Sequence, residues 1–139
     1  MAAVKDCLFC KIIKGEIPCN KVYEDKDTIA FLDIHPINKG HALVLPKKHS
    51  ETILDTDVKQ LEKVMAIVKK IAGVVVKTVK ADGFEICINN KKAAGQVVPH
   101  LHVHIIPRFN NDGLMYDWAT KEYKGNEAKE IAGKIKNLL

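Results

Sequence analysis

One long run of apolar residues at helical spacing constrains the fold of this sequence more than any other feature. Its apolar positions lie three or four residues apart with lysine and glutamate between them, which predicts an amphipathic helix with one buried face. These positions are Val58, Leu61, Val64, Met65, Val68, Ile71, Ala72, Val75 and Val79. Asp55 or Thr56 is expected to cap the start of the helix. The rest of the chain must supply a layer that covers the apolar face.

That layer is predicted to be an antiparallel sheet of short strands. Apolar extended segments bounded by turn residues predict strands over 22–24, 28–33, 41–45, 84–89 and 97–107. A short N-terminal helix is predicted over Leu8–Ile13, ending at Gly15, and Asn126 is expected to cap a C-terminal helix. Strands outnumber helices and several follow one another, so the predicted fold class is α+β.

The size and composition of the chain are those of one globular domain spanning residues 1–139. The chain has 139 residues, of which 47% are hydrophobic and 28% charged, so disorder is not expected. No apolar run approaches the roughly 20 residues of a membrane span, and the N-terminus lacks the pattern of a secretory signal. We therefore expect a cytoplasmic protein without a membrane partner, with passive entry into the nucleus as an alternative.

The positive charge does not predict a specific nucleic-acid partner. The net charge is +5, but Arg108 is the only arginine among 22 basic residues. Base readout and bidentate phosphate binding usually depend on arginine, and the lysines are scattered along the chain in pairs. Most of these lysines are expected to lie on ordinary solvated faces, with attraction of small anions as the alternative.

Half of the six histidines lie in one pentapeptide, at positions 100, 102 and 104. Alternate side chains of a strand share a face, so the three imidazoles are expected on one face and the intervening apolar residues in the core. Imidazoles crowded in this way repel one another when protonated, which a purely structural role explains poorly. The pattern favours either zinc ligation or a histidine nucleophile that attacks phosphorus.

The loop before this pentapeptide favours phosphate binding. Asn89 and Gln96 offer amide dipoles, and Gly95 allows backbone N–H groups to approach an anion. The combination predicts a phosphate cradle beside a nucleophile.

Cys7 and Cys10 form a Cys-x-x-Cys pair. A thioredoxin-like redox role would require a preceding strand, and the sequence predicts none. A tetrahedral zinc site would need two more ligands, for which His49 and one pentapeptide histidine are available, and the spacing alone leaves this question open. The two remaining cysteines, Cys19 and Cys87, are expected to be packing residues.

At these residues the sequence resembles the histidine-triad (HIT) family, in its Hint-like branch. The triad motif reads His100-Leu101-His102-Val103-His104-Ile105-Ile106 and is preceded by Gly95-Gln96-Val97-Val98. Further matches are Phe9-x-x-Ile12, Gly15-Glu16-Ile17-Pro18, Ala30-Phe31-Leu32-Asp33-Ile34 and the segment 40–49. The resemblance covers residues 7–108 and leaves 109–139 as a C-terminal extension.

The resemblance implies a HIT-like fold, homodimers and hydrolysis of purine nucleotides. Such proteins cleave the bond between the α-phosphate of a nucleoside monophosphate, such as AMP, and a leaving group that is often an amine. His102 would be the nucleophile and form a covalent nucleotidyl intermediate, held in the correct tautomer by the carbonyl of His100. His104 and His41 would bind the phosphate, and Gln96 would contact the phosphate or the leaving group.

The resemblance also assigns the nucleotide pocket and a metal site. Asp33 would accept the ribose hydroxyls, and Asn89, Gly95 and Val97 would adjoin the phosphate. The base pocket would be lined by Phe9, Ile12, Phe31, Ile34 and Leu43. A structural zinc ion, not required for the chemistry, would be held by Cys7, Cys10, His49 and His100.

Two departures from the family pattern bear on the substrate. Val97 stands where some Hint-like proteins have a hydroxyl residue that touches phosphate, and the C-terminal extension is less typical. Alternative functions are therefore hydrolysis of dinucleoside polyphosphates and a nucleotide-responsive protein-binding module. A catalytic zinc site built from the triad is a further alternative, but the Cys-x-x-Cys pair, which would close the metal shell, speaks against it.

Overall fold

Five strands form one antiparallel sheet in a computed structural model that describes residues 2–114 and 118–139. The strands are β1 (Lys21–Glu24), β2 (Thr28–Leu32), β3 (Ala42–Pro46), β4 (Gly83–Cys87) and β5 (Val103–Arg108). Their order across the sheet is β1-β2-β3-β5-β4, and every neighbouring pair is antiparallel. The predicted α+β class with an antiparallel sheet is confirmed.

Four α-helices accompany the sheet among the described residues. They are α1 (Ala2–Lys5), α2 (Leu8–Ile13), α3 (Val58–Val79) and α4 (Glu127–Leu138). The central helix α3 has the extent that its apolar periodicity predicts. The predicted cap is wrong, because the side chain of Asp57 accepts the N–H groups of Lys59 and Gln60. Asp55 ends a preceding single turn of 3₁₀ helix and Thr56 follows that turn; the side chains of both bond to Thr52 instead.

The two faces of the sheet pack against different helices, because neighbouring side chains of a strand point to opposite faces. On β2, Ala30 packs against the buried face of α3, whereas Ile29 and Phe31 belong to a second apolar cluster with α2. On β5, Val103 and Ile105 are fully buried under α3. The opposite face therefore receives the polar side chains of β5 and the residues of α2.

The strand predicted over 97–107 begins only at Val103, so this boundary is wrong. Pro99 has no N–H to donate to a sheet ladder, and the N–H of Leu101 instead donates to the carbonyl of Ser50 at 2.7 Å. His100 and His102 consequently lie on an irregular segment ahead of the strand. The alternation still holds there, because Leu101 is 1% exposed and turned into the interior.

The C-terminal helix α4 is exposed along its whole length. Its apolar residues Ile131 and Ile135 are 45% and 56% exposed. Asn126 stands at the N-cap position, but its side chain makes no capping hydrogen bond, contrary to the expected cap. Over the described part of the chain, the helices are too short or too polar to cross a bilayer.

Candidate functional site

A cleft of about 500 Å³ opens on the sheet face that α2 covers. It contains every residue predicted to bind the nucleotide except Gln96 and His41. These lining residues are Phe9, Ile12, Phe31, Asp33, Ile34, Leu43, Asn89, Gly95, Val97, His102 and His104. One end of the cleft is apolar and the other carries histidine and amide groups, which suits a ligand with an aromatic end and an anionic end.

Phe9 joins the apolar end of the cleft to the histidines. Its ring packs edge-on against Phe31, with centroids 5.6 Å apart, and against His102 at 4.9 Å. Phe9 is 6% exposed, because α2 presses it against the sheet. The packing of one aromatic residue thus limits the positions open to the His102 imidazole.

His102 has a defined tautomer. Its Nδ1 lies 2.6 Å from the carbonyl oxygen of His100, and a carbonyl only accepts, so Nδ1 carries the proton. The lone pair is therefore on Nε2. Burial lowers the pKa of His102 against the opposing effects of the His100 carbonyl and of Asp33. The imidazole is thus neutral at pH 7 and available as a nucleophile.

A hydrogen-bonded chain fixes the tautomer of His104 as well. The N–H of Ile37 donates to Nδ1 of His41 at 3.1 Å, which places the His41 proton on Nε2. That Nε2 lies 2.9 Å from Nδ1 of His104, so Nδ1 accepts and Nε2 of His104 carries a proton. Burial lowers the pKa of His104 to about 4, and His104 is a neutral donor at pH 7.

Asp33, His41 and His104 also bring three metal-capable groups together. The hydrogen bond from Ile37 argues against a metal ion there, because a metal on Nε2 of His41 would move the proton to Nδ1, facing the Ile37 N–H. Asp33 lies 3.6 Å from Nε2 of His41 through one oxygen and accepts the His35 N–H through the other, at 2.9 Å. We interpret this group as a hydrogen-bonded network.

Gly40 allows His41 to reach its position. Its φ is +100°, and an added Cβ would lie 2.9 Å from Cγ1 of Val79 on α3. A residue with a side chain is strained in this conformation and has no space here. His41 itself is 2% exposed and lies behind His104.

Gln96 does not line the cleft but holds the loop 89–97, which contributes Asn89, Gly95 and Val97 to it. Its amide oxygen accepts the Lys91 N–H at 2.7 Å, and its amide nitrogen donates to the carbonyl of Glu51 at 2.7 Å. The ammonium group of Lys91 forms an ion pair with the carboxylate of Glu51 at 2.8 Å. These three residues close the loop 89–97 against the chain that precedes α3, and one amide N–H of Gln96 remains free of these two bonds.

Lys91 has an unusual backbone in this loop. Its φ of 69° and ψ of 162° fall in a region that is essentially restricted to glycine, where other residues carry strain of about 1–3 kcal/mol. The Lys91–Glu51 pair is solvent-exposed, at 62% and 40% of the side chains, and such pairs are screened and stabilise little. Folding stability therefore does not explain a lysine at this position.

The predicted metal ligands converge at the buried end of α2. Nε2 of His100 donates to the carbonyl of Pro46 at 2.8 Å, which leaves the lone pair on Nδ1. That Nδ1 is 3.2 Å from Nδ1 of His49 and 3.6 Å from each sulfur of Cys7 and Cys10. Ligands of a tetrahedral zinc ion lie about 3.3–3.8 Å apart, so the four donors fit this metal.

The chemistry of the donors supports the same conclusion. Burial and the neighbouring Cys7 raise the pKa of the Cys10 thiol to about 11, and burial lowers the pKa of His100 to about 4. Two buried thiols facing two imidazole lone pairs have little to stabilise them without a cation. Metal binding releases the thiol protons and neutralises the thiolates.

The sequence interpretation missed several residues that line the cleft. They are Leu8, Ile17, Pro18, Cys19, Leu32, His35 and Val98. His35 was given no role, although its place two residues after Asp33 was the available signal. Cys19, expected only to pack, also faces the cleft, and no pattern of the sequence marks it.

Similarity to known proteins identifies the family. The HIT domain family model matches residues 14–111. An uncharacterised HIT-like protein of Methanocaldococcus jannaschii is 46% identical over 130 residues, covering 94% of this chain and 98% of that protein. Adenosine 5'-monophosphoramidase hnt1 of Schizosaccharomyces pombe is 40% identical, covering 94% and 98%. Adenylylsulfatase HINT3 of Arabidopsis thaliana is 41% identical, covering 89% of this chain and 61% of that protein.

Solved structures agree. A Streptococcus mutans UA159 protein superposes with a TM-score of 0.89 at 44% identity, covering 95% of this chain and 84% of that one. A zinc-bound histidine triad family protein from Mycobacterium smegmatis gives 0.76 at 37% identity, covering 85% and 86%. With the matched domain, the shared fold and the histidine-lined cleft, this chain belongs to the HIT family of nucleotide hydrolases.

Proposed function

We propose that this protein is a purine nucleoside phosphoramidase of the adenosine 5'-monophosphoramidase type. It would cleave the bond between the α-phosphate of a purine nucleoside monophosphate and an amine. The observation that carries the proposal is the His102 imidazole, whose Nδ1–H is held by the His100 carbonyl while its Nε2 is left free at the polar end of the cleft. The similarity to the fission-yeast phosphoramidase supports the choice of reaction.

The reaction would proceed through a covalent intermediate on His102. Nε2 attacks phosphorus, the new N–P bond forms as the bond from phosphorus to the leaving amine breaks, and the electron pair departs with the amine. His104 would donate its Nε2 proton to that amine, with His41 as the positioning residue. Water then attacks phosphorus and gives a proton to Nε2 of His104, which restores the proton lost in the first step. The N–P bond breaks, and its electron pair returns to Nε2 of His102.

The cleft would orient the nucleotide along its length. The purine base would lie at the apolar end, against Phe9, Ile12, Phe31, Ile34 and Leu43. The Asp33 carboxylate would accept the ribose hydroxyls. Asn89, Gly95, Val97 and Gln96 would adjoin the phosphate, where the backbone N–H of Val97 replaces the hydroxyl that some relatives have.

The cluster of Cys7, Cys10, His49 and His100 would hold a structural zinc ion. The ion would join α2 to the segment that precedes β5 and thereby hold the His100 carbonyl beside His102. Four protein ligands complete a tetrahedral shell and leave no position for substrate. Catalysis would therefore need no metal of its own.

The experiment is hydrolysis of a fluorogenic adenosine 5′-phosphoramidate by the wild type and by His102→Ala, each with and without a chelator. We expect turnover that survives chelation in folded protein and falls by about three orders of magnitude or more in His102→Ala. Intact-mass analysis of quenched reactions should detect a nucleotidyl adduct only in the wild type. Equal activity of the mutant, or complete loss of activity on chelation without unfolding, would contradict the proposal.

A second candidate reaction uses the same residues on an oxyanion leaving group, as in dinucleoside polyphosphates. The similarity to a relative named as an adenylylsulfatase supports an oxyanion leaving group.

We also propose a homodimer. β4 is an edge strand of the sheet, and its residues Phe84 and Ile86 are 51% and 38% exposed, so this edge and its apolar face suit a second copy. Light scattering should give twice the chain mass, and Ile86→Glu should shift the mass toward that of the monomer.

We also propose a cytoplasmic or nuclear location. The four cysteines are free thiols, which suits such a location.

A further inference from the structure

The ladder between strands β3 and β5 ends one residue short of His41. Its last pair joins Ala42 to Ile105, and Pro107, further along β5, has no N–H to donate. The two backbones still approach closely there, because a Cβ added to Gly40 would lie 3.5 Å from Cγ of Pro107. Contacts other than the ladder must therefore hold the turn that carries His41 against β5.

The side chain of Asn38 makes these contacts. An amide nitrogen has two hydrogens, and that of Asn38 donates to the carbonyl of Pro107 at 2.9 Å and to the carboxylate of Asp112 at 3.1 Å. The backbone carbonyl of Asn38 accepts the N–H of His41 at 3.0 Å. One residue thus joins the end of β5 to the backbone of His41.

Asp112 is a firm anchor for Asn38. Its carboxylate accepts Nε and Nη2 of Arg108 at 2.8 and 3.1 Å, and such bidentate pairs fix geometry as well as charge. It also accepts the N–H groups of Phe109 and Leu114 at 3.1 and 3.0 Å. The Arg108 guanidinium and these N–H groups hold the pKa of the Asp112 carboxyl well below its ordinary value. The acceptor that faces Asn38 is therefore charged throughout the neutral range.

The turn from Ile37 to His41 determines where the proton of His104 resides. The N–H of Ile37 directs the His41 proton to Nε2, and that Nε2 donates to Nδ1 of His104. Both bonds depend on the place of the His41 backbone, because a hydrogen bond weakens steeply once its atoms leave alignment. A shift of the turn by about 1 Å would break the contact and allow the His104 proton to reside on either nitrogen.

We propose that Asn38 is a positioning residue that holds His41 against His104 and thereby keeps the His104 proton on Nε2. Its effect on turnover rests on the proposed function of the His102 site, in which that proton goes to the leaving amine. Asn38 is not among the residues that line the cleft, and it acts through His41 from its anchor on Asp112. A leaving group that needs a proton therefore depends on Asn38, and one that departs as a stable anion does not.

The test compares kcat/KM for an alkylamine phosphoramidate of AMP with kcat/KM for the p-nitrophenyl ester of AMP. Asn38→Ala removes both side-chain bonds and keeps the backbone carbonyl that accepts from His41. Asn38→Asp keeps the shape of the side chain but sets a carboxylate against the Pro107 carbonyl and the Asp112 carboxylate. Lys39→Gln is the matched control, because Lys39 is the next residue of the same turn and is exposed.

We expect Asn38→Ala to lower the ratio of amine to ester turnover by about tenfold, and Asn38→Asp to lower it further because its charge is repelled by that of Asp112. Lys39→Gln should leave the ratio unchanged. In the His41→Phe background, Asn38→Ala should cause no further fall, since the residue through which it acts is gone.

An unchanged ratio in Asn38→Ala overturns the inference, whether or not Asn38→Asp folds, because equal losses on the two substrates are those of a merely structural residue. An equal fall of the ratio in Lys39→Gln overturns it as well. So does a fall of the same size in the presence and in the absence of the His41 imidazole.

A measurement without substrate separates this inference from the proposed function. The nitrogen-15 chemical shifts of the imidazoles at pH 7.5 report which ring nitrogen carries the proton. The wild type and Lys39→Gln should show His104 as one tautomer, protonated at Nε2, and Asn38→Ala should show both tautomers. If the wild type cleaves no substrate, the proposed function fails, and mixed tautomers in Asn38→Ala still support the positioning role. One tautomer in Asn38→Ala, or two in the wild type, overturns that role whatever the turnover.

Discussion

The carbonyl oxygen of His100 lies 2.6 Å from Nδ1 of His102, while the imidazole of His100 points away from it, into the cluster of Cys7 and Cys10. One residue therefore belongs to two sites, the predicted metal cluster through its ring and the nucleophile through its backbone. Displacement of the His100 ring would move the group that fixes the tautomer of His102. This links the stability of the N-terminal cluster to the chemistry of the cleft.

A first prediction concerns this cluster. Cys7→Ala should lose bound zinc and lower Tm by about 10 °C, because the remaining thiol and imidazoles keep their burial without a shared cation. Zinc content measured by elemental analysis and Tm measured by calorimetry check this prediction.

The matched control for Cys7→Ala is Cys87→Ala, which replaces a partly buried cysteine of β4 outside the cluster. It should keep one zinc ion per chain. Equal zinc content in the two variants would show that Cys7 is not a ligand.

A second prediction concerns the ribose. Asp33→Asn should lower kcat/KM for an adenosine phosphoramidate by about 10–100-fold, because hydrogen bonds from the hydroxyls to a charged carboxylate are lost. For the 2′-deoxy substrate the loss should be smaller, since one of those hydroxyls is already missing. The measurement is kcat/KM of the wild type and of Asp33→Asn, each on the ribonucleoside and the 2′-deoxy substrate. Equal losses on both substrates would exclude a contact between Asp33 and the 2′-hydroxyl.

A third prediction follows from the chain that joins Ile37, His41 and His104. His41→Phe removes the donor to Nδ1 of His104 and frees the His104 proton to reside on either nitrogen. Turnover of an alkylamine phosphoramidate, whose leaving group needs a proton, should fall by about 100-fold.

A p-nitrophenyl ester of AMP is the control substrate for His41→Phe, because its leaving group departs without a proton. Its turnover should fall much less than that of the alkylamine substrate. Equal losses on the two substrates would assign His41 a merely structural role.

The sequence alone was sufficient for the elements whose patterns are local. The spacing of apolar residues from Val58 to Val79 predicted the course of α3, although its N-cap is Asp57 and not the expected Asp55 or Thr56. The start of β5 was missed because Pro99 and the hydrogen bond from Leu101 to Ser50 divert the chain, and that bond joins residues distant in sequence.

In the candidate site, too, local patterns were predictable and contacts that form only in the folded chain were not. Residue types and the family resemblance placed the predicted nucleotide residues around one cleft, apart from Gln96 and His41. The Ile37 N–H that orients His41 and the glycine-type backbone of Lys91 could not be predicted, because a backbone group has no residue signature. Gln96 was expected to contact the ligand, but its amide bonds are visible only once the loop has its fold.

A fourth prediction concerns pH. The pKa of His104 is about 4 in the folded protein against an unfolded value of about 6.5. The unfolded chain therefore binds more protons between these values. The free energy of unfolding should be fully retained above pH 6.5 and should fall as the pH drops toward 4.

His104→Asn isolates this contribution to the pH dependence. At pH 5 the wild type should have lost more stability relative to pH 7.5 than the variant, by on the order of 1 kcal/mol after discounting for partial exposure. Urea denaturation at both pH values measures this difference. Parallel losses in the two proteins would mean that His104 does not resist protonation.

A fifth prediction concerns Gly40, whose backbone brings His41 behind His104. Gly40→Ala should lower the free energy of unfolding by about 2–3 kcal/mol, because its φ of +100° is strained for alanine. The new Cβ would also meet Val79 of α3 at 2.9 Å.

Gly73→Ala is the matched control, since Gly73 lies inside α3 with no atom within 4 Å of an added Cβ. That change should stabilise the protein by about 0.5–1 kcal/mol, because alanine favours the helix. Urea denaturation of both variants decides the matter: a Gly40→Ala protein as stable as the wild type would mean that the turn before His41 can be rebuilt without the left-handed residue.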